Sequence, residues 1–98
     1  MPRCHQPVTA FRELGTGRTW ILPDTFRRFQ LGRAGACEVR IPRLSLHAPH
    51  CELVYVDGRL HIRDLSGEGL LIGRRQLSEA RLLPGDVVGM GGLSFLAI

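Results

Sequence analysis

The sequence predicts an all-β fold, a sandwich of about ten short strands in two sheets. Three observations carry this. Apolar residues recur with period two in several stretches, turn signals return every few residues, and no stretch sustains a strong helical period. Twelve glycines and six prolines spread over 98 residues suit short strands joined by tight turns and oppose long helices.

The elements follow in order. VTAFREL (8–14) alternates apolar and polar residues, as does TWIL (19–22), with a turn at Gly15–Gly17 between them. A turn at Pro23–Asp24 leads into FRRFQL (26–31), which sets Phe29 and Leu31 on one face. After the glycines at 32 and 35, CEVRI (37–41) puts Val39 and Ile41 together. The clearest signal is CELVYV (51–56), then Asp57–Gly58, then RLHIRD (59–64). Leu53 and Tyr55 alternate with Glu52, Val54 and Val56, and Leu60 and Ile62 with His61 and Arg63. Asp-Gly is a two-residue hairpin turn of the type that needs positive φ. LLI (70–72), the pieces around RQL and ARL, DVVGM (86–90) and LSFLAI (93–98) complete the set, with turns at Gly67–Gly69, Pro84–Gly85 and Gly91–Gly92. RQLSEARLL (75–83) contains helix formers and a Ser78 cap, but it is short and lies between glycine-marked turns. Strand–turn–strand is the expectation there.

Composition bounds what the chain does. At 44% hydrophobic and 22% charged, 98 residues make one small globular domain. All 13 basic residues are arginine, net charge is +4, and the pI is near 9.8. The arginines are scattered, adjacent only at Arg27–Arg28 and Arg74–Arg75, with no basic run interleaved with aromatics. They read as solvated strand faces and loops, with no specific nucleic-acid partner. Arginine also suits planar oxyanions and interface ion pairs. Three cysteines, Cys4, Cys37 and Cys51, form no framework and read as free thiols in a reducing compartment. The start lacks the apolar core of a signal peptide, and no stretch approaches the ~20 apolar residues of a membrane helix, so the expected location is cytoplasmic. The chain ends within the apolar run LSFLAI, which suggests a domain cut from a longer protein with its own N-terminus retained.

The stretch LSLHAPHCEL (44–53) places two histidines three apart, the second next to a cysteine. Metal chemistry is disfavoured: no C-x-x-C or H-x₃-H spacing exists, and on a strand His50 and Cys51 point to opposite faces. Cysteine catalysis is disfavoured because Cys51 lies in the best strand, where a thiol packs as a small apolar group. The glycine-rich GRAGAC and GEGLLIGRR match neither phosphate-loop nor dinucleotide patterns. No enzyme, cofactor or small-molecule substrate is expected.

The order of the short motifs resembles the forkhead-associated (FHA) domain over residues 8–98, leaving 1–7 as an N-terminal extension. FQLGR supplies a strand ending in Gly32-Arg33. CEVRI resembles Asp-Ile-x-Ile through Glu38, Val39 and Ile41. Residues 47–53, HAPHCEL, fall in the register of Ser-Arg-x-His-Ala-Glu-Ile. DLSGEGLLIGRRQL resembles Asp-Leu-x-Ser-x-Asn-Gly-Thr-x-Val-Asn-Gly, one residue shorter, and LLPGDVVGMG resembles Leu-x-x-Gly-Asp-x-Ile. The resemblance implies an FHA-like β-sandwich of about 10–11 short strands, non-enzymatic, whose loops at one end bind phosphothreonine peptides of other proteins.

The departures bear on that function. The resemblance makes Arg33 a phosphate ligand, but His47 stands at the phosphate-binding serine, Ala48 at the following arginine, Glu68 at the peptide-binding asparagine and Leu70 at a threonine. Arg33, His47, Arg43, Glu68 and Gly69 form the candidate peptide- or anion-binding set; Gly32, His50, Asp64, Gly85 and Asp86 form the structural motif set. A phosphothreonine carries about −1.5 to −2. Arg33 offers it a forked pair of charge-assisted bonds and His47 one more. Glu68 opposes it: at ~6 Å and an effective dielectric of about 20, each unit repulsion is roughly 2–3 kcal/mol, about one charge-assisted bond. Two alternatives for Arg33 remain open: an anion ligand with His47, or an arginine closing a turn on a loop carboxylate such as Glu68.

A degraded phosphate site points to phosphate-independent binding. LHAPHCEL resembles the second motif of the FHA-like domain that begins the inner-membrane ring protein of bacterial type III secretion systems. That resemblance implies a location at the cytoplasmic face of the inner membrane and a membrane span beyond Ile98. The alternative is a phosphothreonine-binding FHA module on a bacterial regulator or scaffold, which the retained Arg33 favours.

Overall fold

The computed structural model describes residues 7–23 and 27–98. The expectations for Cys4, Asp24 and Phe26 lie outside the described residues. The strands are β1 (Ala10–Glu13), β2 (Thr19–Ile21), β3 (Arg28–Gly32), β4 (Val39–Arg40), β5 (Cys51–Val56), β6 (Arg59–Asp64), β7 (Leu70–Ile72), β8 (Arg75–Leu77), β9 (Glu79–Leu82), β10 (Val87–Met90) and β11 (Leu93–Ala97). They form a six-stranded sheet in the order β2-β1-β11-β10-β7-β8 and a five-stranded sheet in the order β4-β3-β5-β6-β9. No helix occurs among the described residues.

Period two explains most of this. Phe29 and Leu31 are both buried, and Phe29 pairs with Leu53, which pairs with Ile62. The turn between β5 and β6 has Asp57 at φ 52° and Gly58 at φ 74°, the conformation Asp-Gly was expected to supply. Phe11 and Phe95, from the other sheet, pack with their rings tilted by 45° and centroids 6.2 Å apart, and Trp20 meets Phe95 edge-on at 6.2 Å. Burying each of these phenylalanines contributes about 2–3 kcal/mol. The segment 75–83 is strand–turn–strand, and Ser78 is where the chain crosses between sheets: β8 belongs to one and β9 to the other.

One strand is shorter than expected. CEVRI forms only β4, two residues running parallel to β3. The Gln30 N–H donates to the Glu38 carboxylate at 2.8 Å, so a side chain takes the place of a ladder bond. Val39 and Ile41 are nonetheless both buried.

Candidate functional site

Three loops meet at one end of the sandwich: 33–38 after β3, 41–50 after β4 and 65–69 after β6. Gly32 lets the first two approach. A Cβ there would lie 2.6 Å from the His47 carbonyl oxygen, 2.7 Å from the His50 nitrogen and 2.9 Å from the Pro49 Cα, all backbone atoms that cannot swing aside.

Arg33 is exposed but held to the second loop twice. Its N–H donates to the His47 carbonyl at 3.0 Å, and its Nε donates to the Leu46 carbonyl at 3.0 Å. It therefore closes a turn on backbone oxygen rather than on a carboxylate. Arg33 forms no ion pair among the described residues. Glu68 pairs instead with His47, Nε2 to Oε2 at 3.1 Å, with side chains 46% and 57% exposed.

His50 lies fully buried beneath His47, their rings edge-on at 5.3 Å. Its Nδ1 accepts the His47 N–H at 3.0 Å, which places the imidazole proton on Nε2, a buried atom with no partner. Burial pushes its pKa below the usual histidine value; Asp64 and Glu68 pull upward and His47 adds to the lowering. The His50 backbone ties both neighbours: its N–H donates to Leu31 and its carbonyl accepts from Leu65, each at 2.9 Å.

Asp64 shapes the third loop. Its carboxylate accepts from the Ser66 hydroxyl at 2.6 Å and from the N–H groups of Ser66, Gly67 and Gly69 at 3.2, 2.9 and 3.0 Å. Burial works to raise its pKa, but these four bonds outweigh it and hold the group below the ordinary carboxylate value. Gly69, at φ +84°, sits where a Cβ would crowd Gln76, whose amide donates to the Glu68 carbonyl at 2.6 Å. A shallow groove of about 580 Å³ runs between this loop and β8, lined by Glu68, Gly69, Gln76 and Ser78.

The remaining candidates lie elsewhere. The Arg43 guanidinium grips Glu13, with Nη2 to Oε1 at 2.9 Å and Nε to Oε2 at 3.3 Å, and lies over the Trp20 ring. Glu13 is 3% exposed. Its position two residues after Phe11, on the inward face of β1, was the sequence signal for a buried carboxylate needing a cation. Asp86 accepts the Leu83 N–H at 2.8 Å and, with Gly85, forms the turn between β9 and β10. Cys37 and Cys51 are free and buried; burial raises both thiol pKa values, that of Cys51 beyond the range where a thiolate forms. No group of three metal-ligating side chains occurs among the described residues.

A two-sheet sandwich, helix-free among the described residues, with three loops gathered over a buried histidine is the architecture of a class of interaction domains, the class that the sequence resemblance implied. The FHA domain family model matches residues 29–91, and the chain belongs to that family. Among solved structures it is similar to the FhaA FHA domain, crystallised in complex with the intracellular domain of a second protein, with TM-score 0.78 and 23% identity over 91% of this chain and 98% of that one. It is also similar to an FHA domain from Chlamydia trachomatis, with TM-score 0.76 and 20% identity over 91% and 94%. The FHA-2 domain of a Mycobacterium tuberculosis ABC transporter aligns with TM-score 0.66 and 29% identity over 79% and 70%. A sequence search of curated proteins gives no match.

Proposed function

We propose that this chain is a non-enzymatic interaction module whose loop end takes its protein partner without phosphothreonine. The observation that carries the reading is the contact between His47 and Glu68. Both stand at positions where the family pattern has ligand-binding residues, and each is occupied by the other. A phosphate entering here displaces His47 from Glu68 and then faces the freed carboxylate, at a cost of about 2–3 kcal/mol per unit of phosphate charge at ~6 Å. Arg33 alone, through one forked pair at about 1.5–3 kcal/mol per bond, roughly offsets that repulsion and leaves the loss of the asparagine contact uncompensated. The site suits a ligand that reads shape and hydrogen bonds around Arg33 and the groove beside Gln76.

We further propose that the module is the N-terminal cytoplasmic domain of a bacterial secretion-apparatus ring protein, docked at the inner membrane. The Ala48-Pro49-His50 motif and the missing phosphate ligands support this. One observation favours the second reading, a phosphothreonine-binding module of a regulator: Arg33 is exposed and free of any carboxylate among the described residues.

Calorimetric titration with phosphothreonine peptide libraries tests the first proposal. No binding tighter than about millimolar is expected; a micromolar, phosphate-dependent ligand overturns it. The residues that follow Ile98 in the gene test the second: a ~20-residue apolar span supports a ring protein, and a kinase, ATPase or helical output domain contradicts it.

A further inference from the structure

The outward face of the five-stranded sheet carries a second feature, away from the loops. Register places Arg28, Val54, His61 and Arg81 in one straight row across β3, β5, β6 and β9. The row beside it, Gln30, Glu52, Arg63 and Glu79, carries two carboxylates and one guanidinium, a net charge of −1. Glu52, 13% exposed, gives its short contact to Arg63 at 3.0 Å and only a long one to Arg28 at 3.8 Å. Arg81 has no ion pair among the described residues. Arg28 and Arg81 thus stand at the two ends of the row with a half-buried Val54 and His61 between them, and a depression of about 400 Å³ lies over all four and over Glu52, Arg63 and Glu79 of the neighbouring row. The outward face of the other sheet is of a different kind, with Ile21, Leu71 and Val87 exposed.

We propose that this row docks an acidic protein segment lying across the strands, with two carboxylates four residues apart. Three inter-strand spacings of about 4.8 Å separate Arg28 from Arg81 by about 14 Å, and residues i and i+4 of an extended chain lie on one face about 13 Å apart. Each carboxylate takes a forked pair from one guanidinium. The residue midway, i+2, falls over Val54 and His61 and is small and apolar. The flanking Glu52 and Glu79 repel a continuous polyanion, which favours two discrete carboxylates over a nucleic-acid backbone. The row is independent of the loop end, since Arg28 begins β3 whereas Arg33 follows its last residue.

Fluorescence anisotropy on the 98-residue chain tests this. The probe is a labelled Gly/Ser peptide with glutamates at i and i+4 and valine at i+2; the comparison peptide has its two glutamates adjacent. The spaced peptide is expected to bind about five-fold tighter, and Arg28→Gln with Arg81→Gln to weaken it about ten-fold. Removing the same charge from the β7–β8 hairpin of the other sheet, by Arg74→Gln in its turn with Arg75→Gln in β8, is expected to leave it within about two-fold. If the first double variant fails to fold by circular dichroism, Arg81→Gln alone is expected to weaken binding about three-fold. Failure of the spaced peptide to bind, equal losses in the two double variants, or tighter binding of a single-stranded oligonucleotide of matched charge overturns the proposal.

Discussion

His47 Nε2 and Glu68 Oε2 meet at 3.1 Å across 21 residues of chain, tying the loop after β4 to the loop after β6. The family pattern has a serine and an asparagine at these positions. Replacing the pair by His47→Ser with Glu68→Asn removes the carboxylate repulsion and restores a hydroxyl and an amide at the positions where the family pattern has them. The double variant is expected to bind phosphothreonine peptides at least about ten-fold tighter than the parent chain by calorimetry. Equal affinities would show that the shortened loop, not Glu68, closes the site.

Acid should loosen the domain before it touches the carboxylates. Burial holds His50 below its ordinary value of 6.5, so the unfolded chain gains a proton there that the folded domain resists. The stability lent by the neutral ring is complete above that value and is lost as pH falls below it toward the lowered folded pKa. Asp64, also lowered, adds a second loss that begins only near its ordinary value of 3.8. Thermal melts should show Tm falling between about pH 7.5 and pH 5, and His50→Asn should flatten that slope while costing about 1–3 kcal/mol at neutral pH. A pH-independent Tm in the parent would contradict the buried neutral imidazole.

Breaking the Arg43–Glu13 pair from one side strands a charge. Glu13 is 3% exposed, so Arg43→Ala leaves its carboxylate without a partner and should destabilise by about 3–5 kcal/mol. Replacing both partners, Glu13→Gln with Arg43→Met, should recover much of that loss. Denaturant unfolding of the three variants measures the difference; an Arg43→Ala variant as stable as the parent would show that Glu13 is solvated.

Gly32→Ala puts a Cβ within 2.6–2.9 Å of three backbone atoms. The loops must part, at a cost of about 1–3 kcal/mol, and the two Arg33 bonds to residues 46 and 47 should weaken with them. Faster amide exchange at Arg33, which donates to His47, reads this out. An unchanged exchange rate would show that the approach of the two loops is set elsewhere.

The strands were legible where two faces differ strongly in burial. β3, β5 and β6 alternate because one face meets the other sheet and one meets water. β4 was overestimated because the Glu38 carboxylate replaces a ladder bond, which no pattern of hydropathy reveals. The positions of Arg33, His47 and Glu68 could be read from motif order, but their partners could not. Of the two alternatives for Arg33, an anion ligand with His47 or a turn closed on a carboxylate such as Glu68, the second meets a different partner: Arg33 closes on the Leu46 carbonyl, leaving Glu68 to His47. Such choices depend on loop backbone geometry fixed by Gly32 and His50, and, for Arg43, on a carboxylate 30 residues upstream.

The most direct measurement is an amide and imidazole NMR titration of the 98-residue chain with one peptide in phosphorylated and unphosphorylated forms. The account predicts no phosphate-specific, saturable shifts at Arg33, His47 or Glu68, with the His47–Glu68 contact intact throughout. Saturable shifts at all three with the phosphorylated form alone, at a micromolar Kd, would contradict it.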